Sequence, residues 1–336
     1  MNSFGNKFRI TLSGASHADF VAVLIEGVPV GKRLKTDDFT CDILRRKSGT
    51  PGTTPRMEDD LPQFDGGVSP GPDGTLVTTG EPVVIVFANK DIRPRDYEGF
   101  KAVPRPGHAD FTAFSRYGSL LDGFFSGRMT LPLVAAGVIA KKLVEPMAIS
   151  ARLTHVGGYR IDSGSTNPLD DPAVAEALAA AKAEGDSLGG IVECTCNNVP
   201  VGLGEPFFNS LESMISHAMF SIPGIRGIEF GDGFAAAAMR GSEHNDPIVD
   251  ASGRTAKNGC GGINGGLSNG NPIVFRIAVK PTSSISKTQR SFDFGRNGMT
   301  DFSVPGRHDT CFALRVPPVV EALAACVMAD LLSTAH

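Results

Sequence analysis

Four short stretches of the sequence combine stiff backbone with side chains that can move a proton or bind an anion. They are SGASHAD with Ser16 and His17, RPGHAD with Arg105 and His108, KPTSSI at 280–285, and GRHDTC with Arg307 and Asp309. Histidine titrates near neutral pH, so it suits proton transfer. Arginine presents a planar fork of N–H groups that matches carboxylates and phosphates. One such loop alone is more often a structural turn, but four together predict an active site for an anionic ligand.

The stretch AVPRPGHADFT at 102–112 is the stiffest of the four. Its two prolines restrict φ on either side of Arg105, so the pattern predicts a turn and no helix or ordinary strand. Such a turn holds Arg105 and His108 three residues apart, as an anion clamp beside a proton donor. We expect Asp110 to orient the histidine.

Two groups of cations and hydroxyls have more than one interpretation. In KPTSSI a lysine and three hydroxyls follow a predicted strand, and together with backbone N–H groups they suit a phosphate. Arg45, Arg46 and Lys47 end a short predicted helix, where cations stabilise the helix dipole. Three cations in a row exceed what the dipole needs. The sequence therefore leaves both a structural and a ligand-binding role open.

The elements that must position these loops are strands and helices in irregular alternation. The predicted strands include FRITLSG, FVAVLIEG, PVVIVFAN, IVECTCN, IRGIEF and PIVFRIAV. The clearest helix is DDPAVAEALAAAKAEGD, with Asp171 as its cap, Pro172 at its first position and Gly185 at its end. There is no sustained βαβ rhythm and no linker. We therefore predict an α+β fold in a single domain, 1–336.

The bulk composition excludes several classes of protein. The chain has 336 residues and a formal net charge of −4, which gives no electrostatic case for nucleic acid or an anionic membrane. Its longest apolar run, 131–140, falls far short of the roughly 20 residues of a membrane span. The N-terminus lacks a secretory pattern, and the six cysteines lack metal-site spacing. We expect a cytoplasmic protein with reduced thiols and no metal.

A weak dinucleotide fingerprint competes with this interpretation. IEFGDGFAAAAM contains G-x-G-x-x-A at Gly231, Gly233 and Ala236, after a predicted strand. The fingerprint normally opens a βαβ unit, and the sequence predicts no such unit here. A nicotinamide oxidoreductase is therefore the least favoured hypothesis.

The order and spacing of seven motifs resemble chorismate synthase. They are RPGHADFT, GDSLGG, PVGLGEPFFNSLES, GIEFGDGF, CGGINGGLSNGNPI, KPTSSI and GRHDTCFALRVPPVVEALA. The resemblance implies a β-α-β sandwich with helices between antiparallel sheets, assembled as a homotetramer. It implies a lyase that forms chorismate by 1,4-anti-elimination of phosphate and a proton from 5-enolpyruvylshikimate 3-phosphate. Reduced FMN would be required without net redox change, and NADPH or a separate flavin reductase would supply it.

The same resemblance implies the roles of individual residues. His17 would protonate the reduced flavin, His108 would act as general acid beside the departing phosphate, and Asp309 would support removal of the C6 proton. The implied substrate-binding residues are Ser16, Arg45, Arg46, Arg105, Ser126, Arg128 and Arg307. The implied cofactor-binding residues are Ser126, Lys280, Pro281, Thr282, Ser283, Ser284 and Arg307. Such clustered cations should lower nearby histidine pKa values.

Four details complete these expectations. The side chain of His308 points away from the site if its backbone is extended, so we do not include His308 among the expected site residues. Ala15 stands where the family has a glutamate, Leu120 and Phe124 stand at two arginine positions, and Gly52 stands where many members have an arginine. Each lost charge-assisted hydrogen bond costs roughly 1–3 kcal/mol. The alternative is therefore a divergent paralogue that binds FMN or an anion with weak or no turnover.

Overall fold

Two five-stranded antiparallel sheets and the helices between them make up most of the fold. The computed structural model describes residues 2–91, 100–162, 164–165, 167–304, 306 and 308–334. In these ranges the strands are β1 Ser3–Phe4, β2 Arg9–Gly14, β3 Phe20–Glu26, β4 Arg33–Leu34, β5 Gln63–Gly66, β6 Val68–Pro70, β7 Leu76–Thr78, β8 Val83–Ala88, β9 Ala148–Val156, β10 Tyr159–Arg160, β11 Gly190–Asn197, β12 Ile225–Phe230, β13 Ile263–Asn264, β14 Leu267–Ser268, β15 Ile273–Val279, β16 Gln289–Asp293 and β17 Gly298–Phe302. The α-helices are α1 Thr36–Arg46, α2 Asp110–Tyr117, α3 Thr130–Leu143, α4 Pro172–Ala183, α5 Leu211–Met219, α6 Gly241–His244 and α7 Pro317–Thr334.

The two large sheets are each built by antiparallel pairing. The first has the strand order β1-β2-β3-β8-β5, and the second has the order β10-β9-β11-β15-β12. Three smaller pieces, β4-β7-β6, β13-β14 and β16-β17, lie outside them. The predicted α+β class and the antiparallel sandwich are confirmed.

Helices α3 and α7 lie against each other between the sheets. Helix α3 packs on β3 and β8 of the first sheet, and α7 packs on β9 and β11 of the second. Their crossing is close, because a Cβ placed on Gly137 would lie 2.2 Å from the Cβ of Ala322. Only glycine fits at position 137. Buried side chains of both sheets and of these helices form one continuous hydrophobic core.

Helix α7 is long and apolar enough to cross a membrane by length and composition alone. In this fold 83% of it is buried within the protein. A core helix meets the same criteria, so the helix by itself is weak support for a membrane span.

The cysteines follow the predicted pattern in four of six cases. Cys194 and Cys196 both point inward from β11, and Cys311 and Cys326 are also buried. Cys41 is exposed and Cys260 is half-buried. All six are free thiols.

Local sequence signals predict the strands β2, β3, β8, β11, β12 and β15 and the helices α1 and α4, whereas most of the shorter strands are not predicted, and β9 and α2 differ from expectation. Helix α4 begins as predicted, because Asp171 Oδ1 accepts the N–H of Ala173 at 3.0 Å. Strand β9 was not predicted, since its outward side chains are polar and conceal the strand pattern. Helix α2 begins at Asp110, inside the stretch where no helix is expected. A carboxylate there lies in the first turn, where the helix dipole favours it.

Candidate active site

One large cavity of about 1090 Å³ lies where the loops of the first half of the chain meet those of the second. Small-molecule sites commonly occupy roughly 300–1,000 Å³, so this cavity has room for more than one ligand. Among the described residues that line it, eight are lysine or arginine and four are aspartate or glutamate. A chain of net charge −4 thus concentrates positive charge in its cavity.

The structure brings nearly all predicted site residues to this cavity. Those that line it are Ser16, His17, Arg46, Arg105, His108, Ser126, Arg128, Lys280, Pro281, Thr282, Ser283, Ser284 and Asp309. Arg307 lies outside the described residues. Arg45 is described but is not among the residues lining the cavity.

Arg45 instead holds α1 to α7. Its Nη1 and Nη2 donate to the two carboxylate oxygens of Glu321 at 2.8 and 2.7 Å. The hydrogen bond to Glu321 raises the pKa of Arg45, and Lys141 binds the same carboxylate at 2.8 Å. Because the Arg45 guanidinium is occupied by this ion pair between the two helices, we leave Arg45 out of the proposed site.

The turn at 102–112 is built around the carboxylate of Asp110. That carboxylate accepts hydrogen bonds from Arg105 Nε and Nη2, each at 2.7 Å, and it lies 2.7 Å from His108 Nδ1. Arg105 also lies 4.3 Å from the ring centroid of Phe100. Arg105 therefore uses most of its N–H groups to stabilise the turn, and these groups are not free to bind an anion as predicted. Asp110 orients the histidine, as expected.

The proton affinity of His108 is set by opposing effects. Burial, followed by the positive charge of Arg105, lowers the pKa of His108, while the hydrogen bond to Asp110 raises it. The net shift is downward, with burial as its largest cause, and the expected effect of nearby cations adds to it. When Nδ1–H donates to Asp110, Nε2 is the ring atom available to exchange a proton with a ligand.

The turn at 102–112 and the KPTSSI loop form one wall of the cavity. Ser283 Oγ donates to the carbonyl of Gly107 at 2.8 Å, and Lys280 Nζ donates to the same carbonyl at 2.8 Å. Arg105 Nη1 donates to Ser284 Oγ at 3.0 Å. Burial, and then the charge of Arg226, lowers the pKa of Lys280. Two loops that are 173 residues apart at this contact are thus joined directly.

Another part of the cavity holds the turn that carries His17. The backbone N–H of His17 donates to the carbonyl of Asp122 at 3.0 Å. A Cβ on Gly123 would lie 2.5 Å from His17 Cδ2, and Gly123 has a φ of +80°. Glycine at this position lets the imidazole ring lie against the neighbouring loop.

The cavity also contains a buried charge cluster that includes two predicted arginines. Asp60 accepts hydrogen bonds from Arg128 Nη1 and, at 3.4 Å, from Arg46 Nη1. Arg46 Nε also donates to Thr130 Oγ1 at 3.1 Å, and Arg128 Nε donates to Asn89 Oδ1 at 3.0 Å. Much of the hydrogen-bonding capacity of both guanidiniums is therefore met within the protein.

Asp309 is held from two directions. Its Oδ1 accepts the backbone N–H of Thr54 at 2.8 Å, and Arg315 Nη1 lies 3.2 Å from both of its oxygens. His308, which the sequence analysis left out of the site on the condition of an extended backbone, also lines the cavity. Extended backbone alternates its side chains only where it is regular, and His308 and Asp309 do not belong to a strand.

Sequence reasoning missed several residues of the cavity. They are Arg56, Glu58, Asp60, Lys101, Arg226 and Arg315. The run PRMEDD reads as a solvated loop, and Arg315 stands in an apolar segment. The proximity of PRMEDD to the cation run at 45–47 was the available signal.

The departures from the family pattern fall into two groups. Leu120 and Phe124 line the cavity, so these substitutions place apolar surface in it. Gly52 is not among the lining residues; a Cβ there would lie 2.8 Å from Leu314 Cδ1.

The candidate dinucleotide motif has a different structure. Strand β12 pairs antiparallel with β15, and residues Gly233–Ala238 form a 3₁₀ helix. A dinucleotide site needs a parallel strand that runs into an α-helix. The nicotinamide hypothesis therefore loses its structural basis.

The fold and the cavity define a protein with a large, cation-lined site that has room for small molecules. The family model for chorismate synthase matches residues 8–333. A chorismate synthase of Chitinophaga pinensis is 52% identical over 335 residues, covering 98% of this chain and 96% of the relative. One from Dehalococcoides mccartyi is 43% identical over 354 residues, with coverages of 98% and 96%.

The chain belongs to the chorismate synthase family and is a lyase of the shikimate pathway. A crystal structure of a chorismate synthase matches the fold with a TM-score of 0.74 at 24% identity, covering 98% of this chain and 93% of the other. None of these comparisons favours the weakly active paralogue.

Proposed function

We propose that this cavity converts 5-enolpyruvylshikimate 3-phosphate to chorismate by 1,4-anti-elimination of phosphate and a proton. The substrate carries a phosphate and two carboxylates, and the excess of cations along the cavity suits it. The observation that carries the proposal is the direct contact of the His108 turn with the KPTSSI loop. This contact puts a proton donor beside a loop rich in N–H and O–H groups.

His108 acts as the acid at the leaving phosphate. Its Nδ1 is held by Asp110 at 2.7 Å, so Nε2 can give its proton to a phosphate oxygen. Burial and Arg105 lower the pKa of His108, whereas a bound phosphate dianion raises it. Substrate binding thus favours the protonated form of His108, which can donate the proton that the departing phosphate requires.

The KPTSSI loop has the chemistry to hold the flavin phosphate. Within the described part of the chain, Thr282 Oγ1 is buried without a hydrogen-bond partner, and a ligand acceptor satisfies such a group. Lys280 supplies positive charge, and Ser126 lies on the cavity. The residues present therefore fit FMN. When bound, reduced FMN supplies electron density to the breaking C–O bond, chemistry that no side chain offers.

His17 and Asp309 take part in the two remaining proton transfers, to the flavin and from C6 of the substrate. His17 holds a proton beside the flavin, with its ring against Gly123. Asp309, fixed by Arg315 and by the N–H of Thr54, supports removal of the C6 proton. Arg46, Arg105 and Arg128 provide the positive field, and Ser16 and Arg307 complete the substrate contacts.

The reductant, assembly and location of the enzyme complete the proposal. NADPH or a separate flavin reductase supplies the reduced flavin, and the enzyme works in the cytoplasm as a homotetramer. Phe207 and Phe208 are 87% and 93% exposed, which supports an assembly that covers them. Light scattering of the purified protein measures its mass.

The test is an anaerobic assay of the purified protein with chemically reduced FMN and the substrate. Chorismate should form, and repeating the assay with NADPH in place of the chemical reductant identifies the reductant. His108→Ala should lower kcat by about 10²–10⁴-fold, the usual contribution of a general acid. His244→Ala is the matched control, because His244 does not line the cavity. No chorismate above a no-enzyme reaction contradicts the function; unchanged rates for His17→Ala and His108→Ala contradict the residue roles.

A further inference from the structure

Glu58 is a buried carboxylate in the loop between α1 and β5 that has no part in the proton transfers above. Its side chain is 4% exposed. Its Oε2 accepts the backbone N–H of Lys90 at 2.9 Å, and its Oε1 accepts that of Asp91 at 3.2 Å. Burial alone would raise the pKa of Glu58, but these N–H groups and Arg56 hold it below its usual value. Glu58 is therefore a charged group anchored to the end of β8.

Arg56 connects this anchored carboxylate to the turn that carries His17. Its Nε and Nη2 donate to Glu58 Oε1 at 3.1 and 2.7 Å. Its Nη1 donates to Ser16 Oγ at 2.9 Å, and its Nη2 reaches the Ser16 carbonyl at 3.4 Å. Ser16 is 1% exposed and immediately precedes His17.

We propose that Glu58 is a positioning residue, which fixes Arg56 and through it the Ser16–His17 turn. Ala15 offers this turn no charged side chain, so the restraint comes from another loop. A guanidinium without its carboxylate regains rotamer freedom, and displacement of a reactive group by about 1 Å can cost 10²-fold in rate. The effect on catalysis rests on the proposed function, whereas the restraint on the turn does not.

The first test measures the restraint without any reaction. Amide hydrogen exchange is followed over residues 13–19 in the wild type, in Glu58→Gln and in Asp59→Asn. Asp59 is the matched control, because its carboxylate binds the exposed Lys90 Nζ at 2.6 Å, one residue away on the same loop. We expect exchange in the turn to accelerate at least fivefold in Glu58→Gln and to stay unchanged in Asp59→Asn. Equal exchange in all three proteins overturns the proposal.

The second test is a double-mutant cycle on kcat/KM in the anaerobic assay. Glu58→Gln should lower kcat/KM about tenfold, and it should have no further effect in an Arg56→Gln background, because it acts through Arg56. A merely structural role predicts losses that multiply. Multiplying losses, or a value within twofold of wild type for Glu58→Gln, overturn the proposal.

Two controls keep these outcomes distinct. If Glu58→Gln does not fold, Arg56→Lys replaces it in the exchange test and in a single-variant measurement of kcat/KM, since an ammonium cannot reach Glu58 and Ser16 together; unchanged exchange and turnover then overturn the proposal. A wild-type protein that forms no chorismate contradicts the proposed function, and the exchange experiment still decides the role of Glu58.

Discussion

Asp110→Asn removes the carboxylate that joins the two reactive side chains of the turn at 102–112. Asp110 accepts hydrogen bonds from Arg105 Nε and Nη2 at 2.7 Å each and from Arg105 N at 3.1 Å, and it lies 2.7 Å from His108 Nδ1. The Arg105 and Asp110 side chains are only 8% and 3% exposed. Breaking a buried ion pair from one side costs about 3–5 kcal/mol, so we expect the free energy of unfolding to fall by that order.

The substitution also changes when His108 carries its proton. Asp110 raises the pKa of His108 against burial and Arg105, which lower it. With asparagine the pKa falls further, so the alkaline limb of the pH–rate profile moves to lower pH. General acid catalysis contributes about 10²–10⁴-fold, and we expect kcat at pH 7 to fall by roughly ten- to a hundredfold.

The pH dependence of stability follows from the same pair. The pKa of Asp110 is held well below its usual value by Arg105 and His108, although burial alone would raise it. Its contribution is therefore present above the unfolded carboxyl pKa of about 3.9 and is lost as pH falls towards the folded value. The lowered pKa of His108 favours the neutral ring, so its contribution is present above the unfolded pKa of about 6.5 and declines below it.

Urea unfolding at several pH values and a pH–rate profile together measure both effects. Asp65→Asn, a substitution at an exposed residue of β5, is the matched control. Unchanged stability together with an unmoved alkaline limb would refute the assignment of Asp110 as the partner of both side chains.

Two further substitutions test close approaches in the fold. Gly123→Ala should lower kcat at least tenfold, because its Cβ would lie 2.5 Å from His17 Cδ2. Gly118→Ala has a similar positive φ and nothing within 4 Å, so equal losses in the two variants would assign the effect to backbone strain. Gly137→Ala should destabilise the protein by about 1–3 kcal/mol through overpacking against Ala322. Gly241, where a Cβ would meet nothing within 4 Å, provides the control, and equal urea midpoints for the two alanine variants would contradict a tight helix crossing.

Elements with local signals can be predicted from the sequence. Helix α4 has its cap at Asp171 and its first proline within consecutive residues, so no distant contact is needed to define it. Helix α2 was missed because the prolines of this stretch predict a turn, and the pairing of Asp110 with Arg105 is evident only in the folded protein. The residue types identify candidate functional groups, but the folded structure determines which of these groups contact each other.

The candidate site shows the same division between local and distant information. Stiff turns around His17 and His108 identify reactive residues, since proline and glycine restrict the backbone locally. The sequence does not reveal that Arg45 pairs with Glu321, 276 residues away. Nor does it reveal that Asp60 lies between Arg46 and Arg128. Ion pairs of this kind depend on distance in space, which residue spacing does not encode.

The uneven charge of the molecule has a consequence for how substrate arrives. Charges farther apart than about 8 Å are largely screened at physiological ionic strength. An anion approaching from bulk solvent therefore meets a protein of net charge −4 and is not drawn from afar. It experiences the eight cations that line the described part of the cavity only at the entrance. The protein thus discriminates among anions by short-range capture, and its encounter rate should depend only weakly on salt.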